Sequence, residues 1–305
     1  MTISIERDEL GGADGLEPTP SDAAKPRRKP ARARKTVSGG RTLNYILVAV
    51  VMVAYLFPLL FLVNTALKSN ADFYADPIGI VTDPQFGNFP QAWVQGNFGA
   101  YFINSIVYTG SAALLGTAIS ILIGFPMARG YLRHPKLWNI FMVAMLFLPN
   151  AIITQFQLML RTGLYDTALG YILIMAAGVG IGPLIIRAYS MSIPKDLDEA
   201  AALDGVGYFR FLLTFVVPLS RPAIATVFIL HAIGVWNDII LATILLPDAA
   251  KSPLTLGLYA FQGTFTSQWG LLAAATLIVA APLLVAYVFL QKYLMGGALG
   301  GAIKG

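Results

Sequence analysis

The chain has 305 residues, no cysteine and a formal net charge of +5. It is 56% hydrophobic and 12% charged, about half the roughly 25% charge of a soluble domain, and its mean hydropathy is +0.68. A soluble fold of this size needs charge to cover its surface, so the composition points to a polytopic membrane protein and away from a soluble enzyme. The missing cysteine excludes a disulfide framework, a thiol nucleophile and a Cys-ligated metal or iron–sulfur site. Two histidines, His134 and His231, leave little material for a metal centre.

Residues 1–41 hold six acids followed by a basic run from Lys25 to Arg41, among many Pro, Gly, Ala and Ser. This composition predicts a disordered basic tail that ends in a positive collar beside a membrane. It lacks the interleaved aromatics of a nucleic-acid-binding arm, and a membrane segment follows at once. The uncharged stretch from Thr42 to Leu67 runs 26 residues, against about 7–15 for a signal-peptide core.

A spanning helix needs about 20 mostly apolar residues. Six stretches meet this: Leu43–Ala66, Phe102–Ala128, Leu137–Leu158, Ala168–Ile186, Pro222–Leu246 (interrupted by Asp238) and Trp269–Leu290. The expected architecture is therefore an all-α domain over 42–305 with six transmembrane helices and both termini on one side. With the tail inside, inner segments hold 18 of the 21 Lys and Arg, leaving Lys68, Arg161 and Lys251 outside. That bias places both termini in the cytoplasm.

Pro58, Pro126, Pro149, Pro183 and Pro282 lie within or near these spans. Each removes a backbone donor and favours a kink, read either as packing geometry or as a bundle whose helices rock. Gly178-Val-Gly-Ile-Gly182 offers a small face for close helix contact. The first outer loop, Lys68 to Tyr101, is rich in aromatics. It either meets an external protein or caps the bundle.

The inner loop over about 190–222 is the most informative segment. Pro194 suits a first helical position, Asp196 and Asp198 suit the first turn, and Gly205 suits the residue after the helix end. A short helix is expected from Pro194 to Asp204. Leu197, Ala200, Ala201 and Asp204 share one shallow face, with Glu199 beside it, able to reach a cation on a partner. The helix is too acidic for an anionic lipid surface, which favours docking into a protein groove. A second amphipathic stretch, Tyr208 to Val217, leads into the fifth span.

Within the spans, Asp238 is the clearest ionisable group, and such groups are costly there. With Trp236 and Asn237 it could serve a sugar, Trp by stacking and Asn and Asp by bonding hydroxyls. The same residues also fit an interfacial anchor that caps a helix end. His231 reads more readily as a buried histidine bonded to a neighbouring helix than as a substrate or proton site. Gln155 and Gln157 could line a pathway or bond between helices. No phosphate-binding G-x-x-x-x-G-K-[ST] loop and no hydrolytic constellation is present in the sequence, so no catalytic residue is assigned.

Glu199-Ala200-Ala201, with Gly205 six residues and Pro218 nineteen residues after Glu199, resembles the EAA loop of ABC importer permeases. Asp204-Gly205 and Pro218-Leu219 are like those of the carbohydrate-uptake subfamily. Asn64 to Lys68, Asn104-Ser105 and Trp236-Asn237-Asp238 resemble further motifs of that subfamily, and Gly300 to Gly305 is similar to the C-terminus of maltose-transporter-type G subunits. Phe215 and Val217 depart from the usual Ile and Leu without loss of apolar character. The resemblance implies a type I importer fold in the bacterial plasma membrane. It also implies a second homologous permease subunit, two cytoplasmic ATPase subunits, an external solute-binding protein and a sugar substrate. Glu199 would pair with a basic residue of an ATPase, Ala200 and Ala201 would permit close approach, and Gly205 would make the turn. ATP and Mg would sit on the ATPases, with no cofactor or metal in this chain. A self-sufficient secondary transporter or channel is the alternative; it would need ion-coupling acids, and only Asp238 offers itself. A membrane enzyme would need a catalytic constellation.

Overall fold

The computed structural model describes residues 39–263 and 267–302, the side chains of 39–42, of 290 and from 292 onward excepted. The expected tail falls outside the described residues up to position 38, as do the last three residues. Residues 43–52, in the first half of the first helix, expose every side chain. The second unit begins at Val53 and is described from here on.

The described elements are helical. In chain order they are α1 (Gly39–Ala66), α2 (Asn70–Ala75), α3 (Asn88–Gln95), α4 (Phe98–Arg129), α5 (Pro135–Met145), α6 (Ile152–Thr162), α7 (Ala168–Ala177), α8 (Gly182–Ser190) and α9 (Asp196–Leu203). After these come α10 (Tyr208–Phe211), α11 (Val217–Leu219), α12 (Arg221–Trp236), α13 (Ile240–Leu245) and α14 (Trp269–Ala302). A π-helical turn covers Leu212–Val216, and 3₁₀ turns cover Ala249–Lys251 and Leu254–Phe261. Among the described residues three helices are long and apolar enough to cross a membrane: Leu43–Ala66, Phe98–Arg129 and Trp269–Phe289. Two bent pairs, α7 with α8 (49°) and Tyr208–Leu219 with α12 (84°), raise the number to five if each counts as one span.

The interruptions differ from the continuous spans expected, and each has a local cause. Leu137–Leu158 is divided into α5 and α6, 11 residues each, or about 16 Å apiece at about 1.5 Å per residue. Pro149 lies between them; it lacks an N–H and drives its predecessor out of helical geometry. Gly178 to Ile181 is a break, not a helix face, with Gly180 at φ +49°. Pro183 then occupies the first turn of α8, where its missing donor costs nothing. The expected fifth span ends α12 at Trp236 and restarts at Ile240.

Unbroken α4, 32 residues or about 48 Å long, is the element around which these pieces gather. It packs against α7, α8 and α12. Small residues permit the approach: Ala112, Ala113, Gly116, Ser120 and Gly124 are all buried on it. A Cβ added at Gly124 would lie 2.5 Å from the Pro183 carbonyl oxygen, and one at Gly116 would lie 2.5 Å from Cε1 of His231. Within a membrane, helices associate through such close backbone contact because burying apolar surface from lipid gains little.

The segment after α1 folds back over the end of that helix. Asn64 donates from Nδ2 to the Gly79 carbonyl at 2.9 Å and accepts from the Val81 N–H at 2.9 Å. The Lys68 ammonium is buried and donates to the carbonyls of Asp76 (2.6 Å) and Pro77 (3.4 Å). Phe73 stacks on Trp269 with centroids 5.4 Å apart. These contacts match the cap reading of the aromatic loop.

Because a backbone carbonyl cannot step aside, Gly124→Ala should destabilise the purified protein by about 1–3 kcal/mol, the usual cost of overpacking. Gly110→Ala, with open space at its Cβ, should leave thermal unfolding in detergent unchanged. Equal transition temperatures for the two variants would contradict the packing role of α4.

Candidate functional site: the α9 face and a cavity between broken helices

The loop helix forms two residues shorter than expected at its start, with Lys195 as N-cap. Asp196, Asp198 and Glu199 occupy its first turn, where exposed N–H groups favour acids. Its end is a Schellman closure: Gly205 donates to the Ala202 carbonyl at 3.1 Å and Val206 to the Ala201 carbonyl at 2.9 Å. Gly205 sits at φ +69°, the left-handed position that this motif assigns to glycine. Val206 and Ala201 join one apolar cluster with Phe125, Phe211, Leu212 and Val216.

The faces divide sharply. Ala201 is buried at 8% exposure and faces the chain's own bundle, which differs from the shared outward face expected. Glu199, Ala200 and Asp204 are exposed, and Leu203 is 90% exposed. On the inner side, Asp198 pairs with Arg129, the last residue of α4, at 2.8 Å; the two side chains are 15% and 3% exposed. Arg129 also donates from Nη1 to the Ile193 carbonyl at 2.9 Å, and its guanidinium carbon lies 5.6 Å from the Phe125 ring centroid. The Tyr131 hydroxyl donates to Oδ1 of Asp198 at 3.1 Å; burial and this bond hold the phenol above its ordinary pKa.

Pro218 lies in α11, directly after the π-helical turn. A proline in a helix cannot take the usual bond and crowds the carbonyl four residues back. The wider turn, in which Val217 donates to the Leu212 carbonyl, relieves that conflict. The 84° bend to α12 follows at buried Ser220.

The second feature is a cavity of about 530 Å³, whose lining includes Asn150, Gln155, Met175, His231, Asp238 and the glycine-rich break 178–182. Of the pathway residues expected, Gln155 and Asp238 line it, and Trp236 and Asn237 do not. Trp236 is buried in the core, donating from Nε1 to the Val279 carbonyl at 3.2 Å and meeting Phe102 edge-on at 6.3 Å. Asn237 donates to the Ile233 carbonyl at 3.0 Å and closes α12. Asp238, two residues before α13, accepts from the N–H groups of Ala242 (2.8 Å) and Leu241 (3.3 Å) in its first turn, and also from the Tyr171 hydroxyl at 2.9 Å. The contacts of Asn237 and Asp238 match the helix-end part of the alternative reading, whereas Trp236 packs in the core and not at an interface.

His231 Nε2 lies 2.9 Å from the Met175 carbonyl near the end of α7, as expected for a histidine bonded to a neighbouring helix. Gln155 lines the cavity, and its Oε1 is buried with no protein partner. Among the described residues no group of three or more His, Cys, Asp or Glu is arranged to hold a metal. The sequence reading missed the Arg129–Asp198 pair. Charge placement along the sequence counts Arg129 among the 18 inner Lys and Arg, and Asp198 is accounted for by the helix dipole alone. A loop acid placed to reach the arginine that closes a span was the available signal.

Residues 116–295 match the family described as binding-protein-dependent transport system inner membrane component. The chain is 32% identical over 266 residues to the melibiose/raffinose/stachyose import permease protein MelC of Bacillus subtilis, covering 85% of this chain and 95% of that protein. It is 28% identical to the diacetylchitobiose uptake system permease protein NgcG of Streptomyces coelicolor, covering 89% and 93%. It is 26% identical to the trehalose/maltose transport system permease protein MalG of Thermococcus litoralis, covering 82% and 92%. Its fold matches a chain of a bacterial ABC transporter involved in import of the acidic polysaccharide alginate, with TM-score 0.71 and 22% identity over 83% of this chain and 96% of that one. The fold and the extent of these matches show that the chain belongs to the family of binding-protein-dependent ABC transport system inner membrane components.

Proposed function

We propose that this chain is one membrane-spanning half of an ATP-driven importer for a sugar or oligosaccharide, with six crossings and both termini cytoplasmic. The observation that carries the reading is the division of α9. One side is tied into the bundle through Asp198 and Ala201, while Glu199, Ala200, Leu203 and Asp204 stand free. An eight-residue helix is too short to hold its shape alone. Anchored on one side, it presents a small apolar patch flanked by carboxylates, suited to a groove lined by cations on a cytoplasmic ATPase. The sugar-permease relatives supply the substrate class.

In this reading a second permease completes the membrane part, two ATPases bind ATP and Mg, and an external binding protein delivers the sugar. Closure of the ATPases moves α9, with the Gly205 turn and the bend at Ser220 as its flanking joints. The broken helices that enclose the cavity adjust as access alternates. Gln155 lines the pathway and turns its buried, unpartnered oxygen to a sugar hydroxyl as cargo passes the Gly178–Gly182 break.

Glu199→Lys should reduce co-purification of the ATPases and sugar-stimulated ATP turnover about tenfold, equivalent to about 1.4 kcal/mol of docking energy. Thermal unfolding of the isolated permease should be unchanged, since Glu199 is exposed. Normal turnover would overturn the docking role. Gln155→Leu should raise the sugar concentration for half-maximal uptake about tenfold. It should leave stability equal or higher, because an unsatisfied buried acceptor costs about 1–3 kcal/mol. Unaltered uptake would remove Gln155 from the pathway.

A further inference from the structure

We propose that the Arg129–Asp198 pair is the positioning element through which movement of α9 enters the bundle, with α4 as the rod that carries it to the opposite end. The proposal rests on the reading of α9 as the ATPase-docking helix. Arg129 binds α9 through Asp198 at 2.8 Å and binds the approach to α9 through the Ile193 carbonyl at 2.9 Å. Its Nη2 also lies 3.5 Å from the Pro194 carbonyl. Tyr131, two residues past the end of α4, takes the second oxygen of Asp198. Both carboxylate oxygens of one α9 residue are thus engaged by the end of α4. Phe125, one turn earlier on α4, packs in the cluster that receives Ala201 and lies under the guanidinium.

The far end of α4 is clamped as firmly. Asn104 donates to the carbonyls of Ala250 and Ser252, each at 3.0 Å. Tyr108 donates to the Lys251 carbonyl at 2.9 Å, and Ser105 accepts from the Leu254 N–H at 2.8 Å. That segment is fixed in turn by Lys251, which lies 2.8 Å from Asp166 and 3.3 Å from Asp248. The bond to Asp166 raises the lysine's pKa, and the Ala250 N–H together with Lys251 lowers that of Asp248.

Between the two clamps α4 is continuous, while α7 and α8 are separated by the Gly178 break and α12 stops at Trp236. A helix resists axial load better than a chain of short segments with unwound joints. A push or pull on α9 therefore reaches the 249–255 segment along α4 with the least loss. An arginine suits this task because its planar fork engages a carboxylate and carbonyls at once from one fixed position.

The test uses the complete transporter in proteoliposomes with its binding protein, measuring sugar moved per ATP hydrolysed. Arg129→Gln and Asp198→Asn should each keep the ATPases bound, because the exposed face of α9 is untouched. Each should lower sugar moved per ATP at least tenfold. Arg129→Asp with Asp198→Arg should recover a large part of the ratio lost in either charge reversal alone. Wild-type coupling in both neutral variants would overturn the proposal. Loss of the ATPases from the complex in those variants would also overturn it, because the pair would then serve only to shape the docking face. Failure of the docking reading itself has a different signature: normal assembly and turnover in Glu199→Lys.

Discussion

A buried guanidinium must find partners, and that requirement organises one end of this molecule. Leaving a charge unpaired away from water is far costlier than pairing it. Arg129, at 3% side-chain exposure, therefore holds Asp198 and the Ile193 carbonyl, and through them a helix too short to persist by itself. The aromatic cluster around Phe125 supplies the remaining contact by receiving Ala201. In the proposed reading, coupling runs through this attachment, and docking uses the face that the attachment leaves exposed. A free α9 would bend under load, and an α9 buried on all sides would have no face to offer.

The rest of the bundle combines one rigid element with several interrupted ones. Proline and glycine break the helices around the cavity, and the freed backbone there lines a space in place of facing lipid. Small residues let α4 run close to the surrounding helices. The resulting contrast is mechanical: a continuous rod among jointed neighbours. Alternating access requires some elements to keep their shape while others change, and this sequence supplies both kinds in one chain.

Much of this was legible in the residues, and the exceptions have physical reasons. The membrane class followed from sparse charge, and the loop helix with its glycine stop followed from Asp196, Asp198 and Gly205, each acting through local backbone chemistry. The division of Leu137–Leu158 at Pro149 was harder to read, since hydropathy measures length of apolar sequence and is blind to whether a helix is continuous. Trp236-Asn237-Asp238 carried the right residue types for sugar contact, yet helix-end geometry commits their polar atoms to Val279, Ile233, Ala242 and Tyr171. The inward turn of Ala201 and the Arg129–Asp198 pair depend on how segments 60 or more residues apart meet. Spacing within one helix cannot reveal that.

The absence of cysteine gives the account a clean and direct measurement. Leu203→Cys places a single thiol on the most exposed apolar side chain of α9. In membranes carrying the assembled transporter, that thiol should cross-link to an ATPase subunit. In intact cells it should resist a membrane-impermeant maleimide. Rapid labelling from outside the cell, or cross-linking to the external binding protein, would place α9 on the wrong side of the membrane and contradict the account.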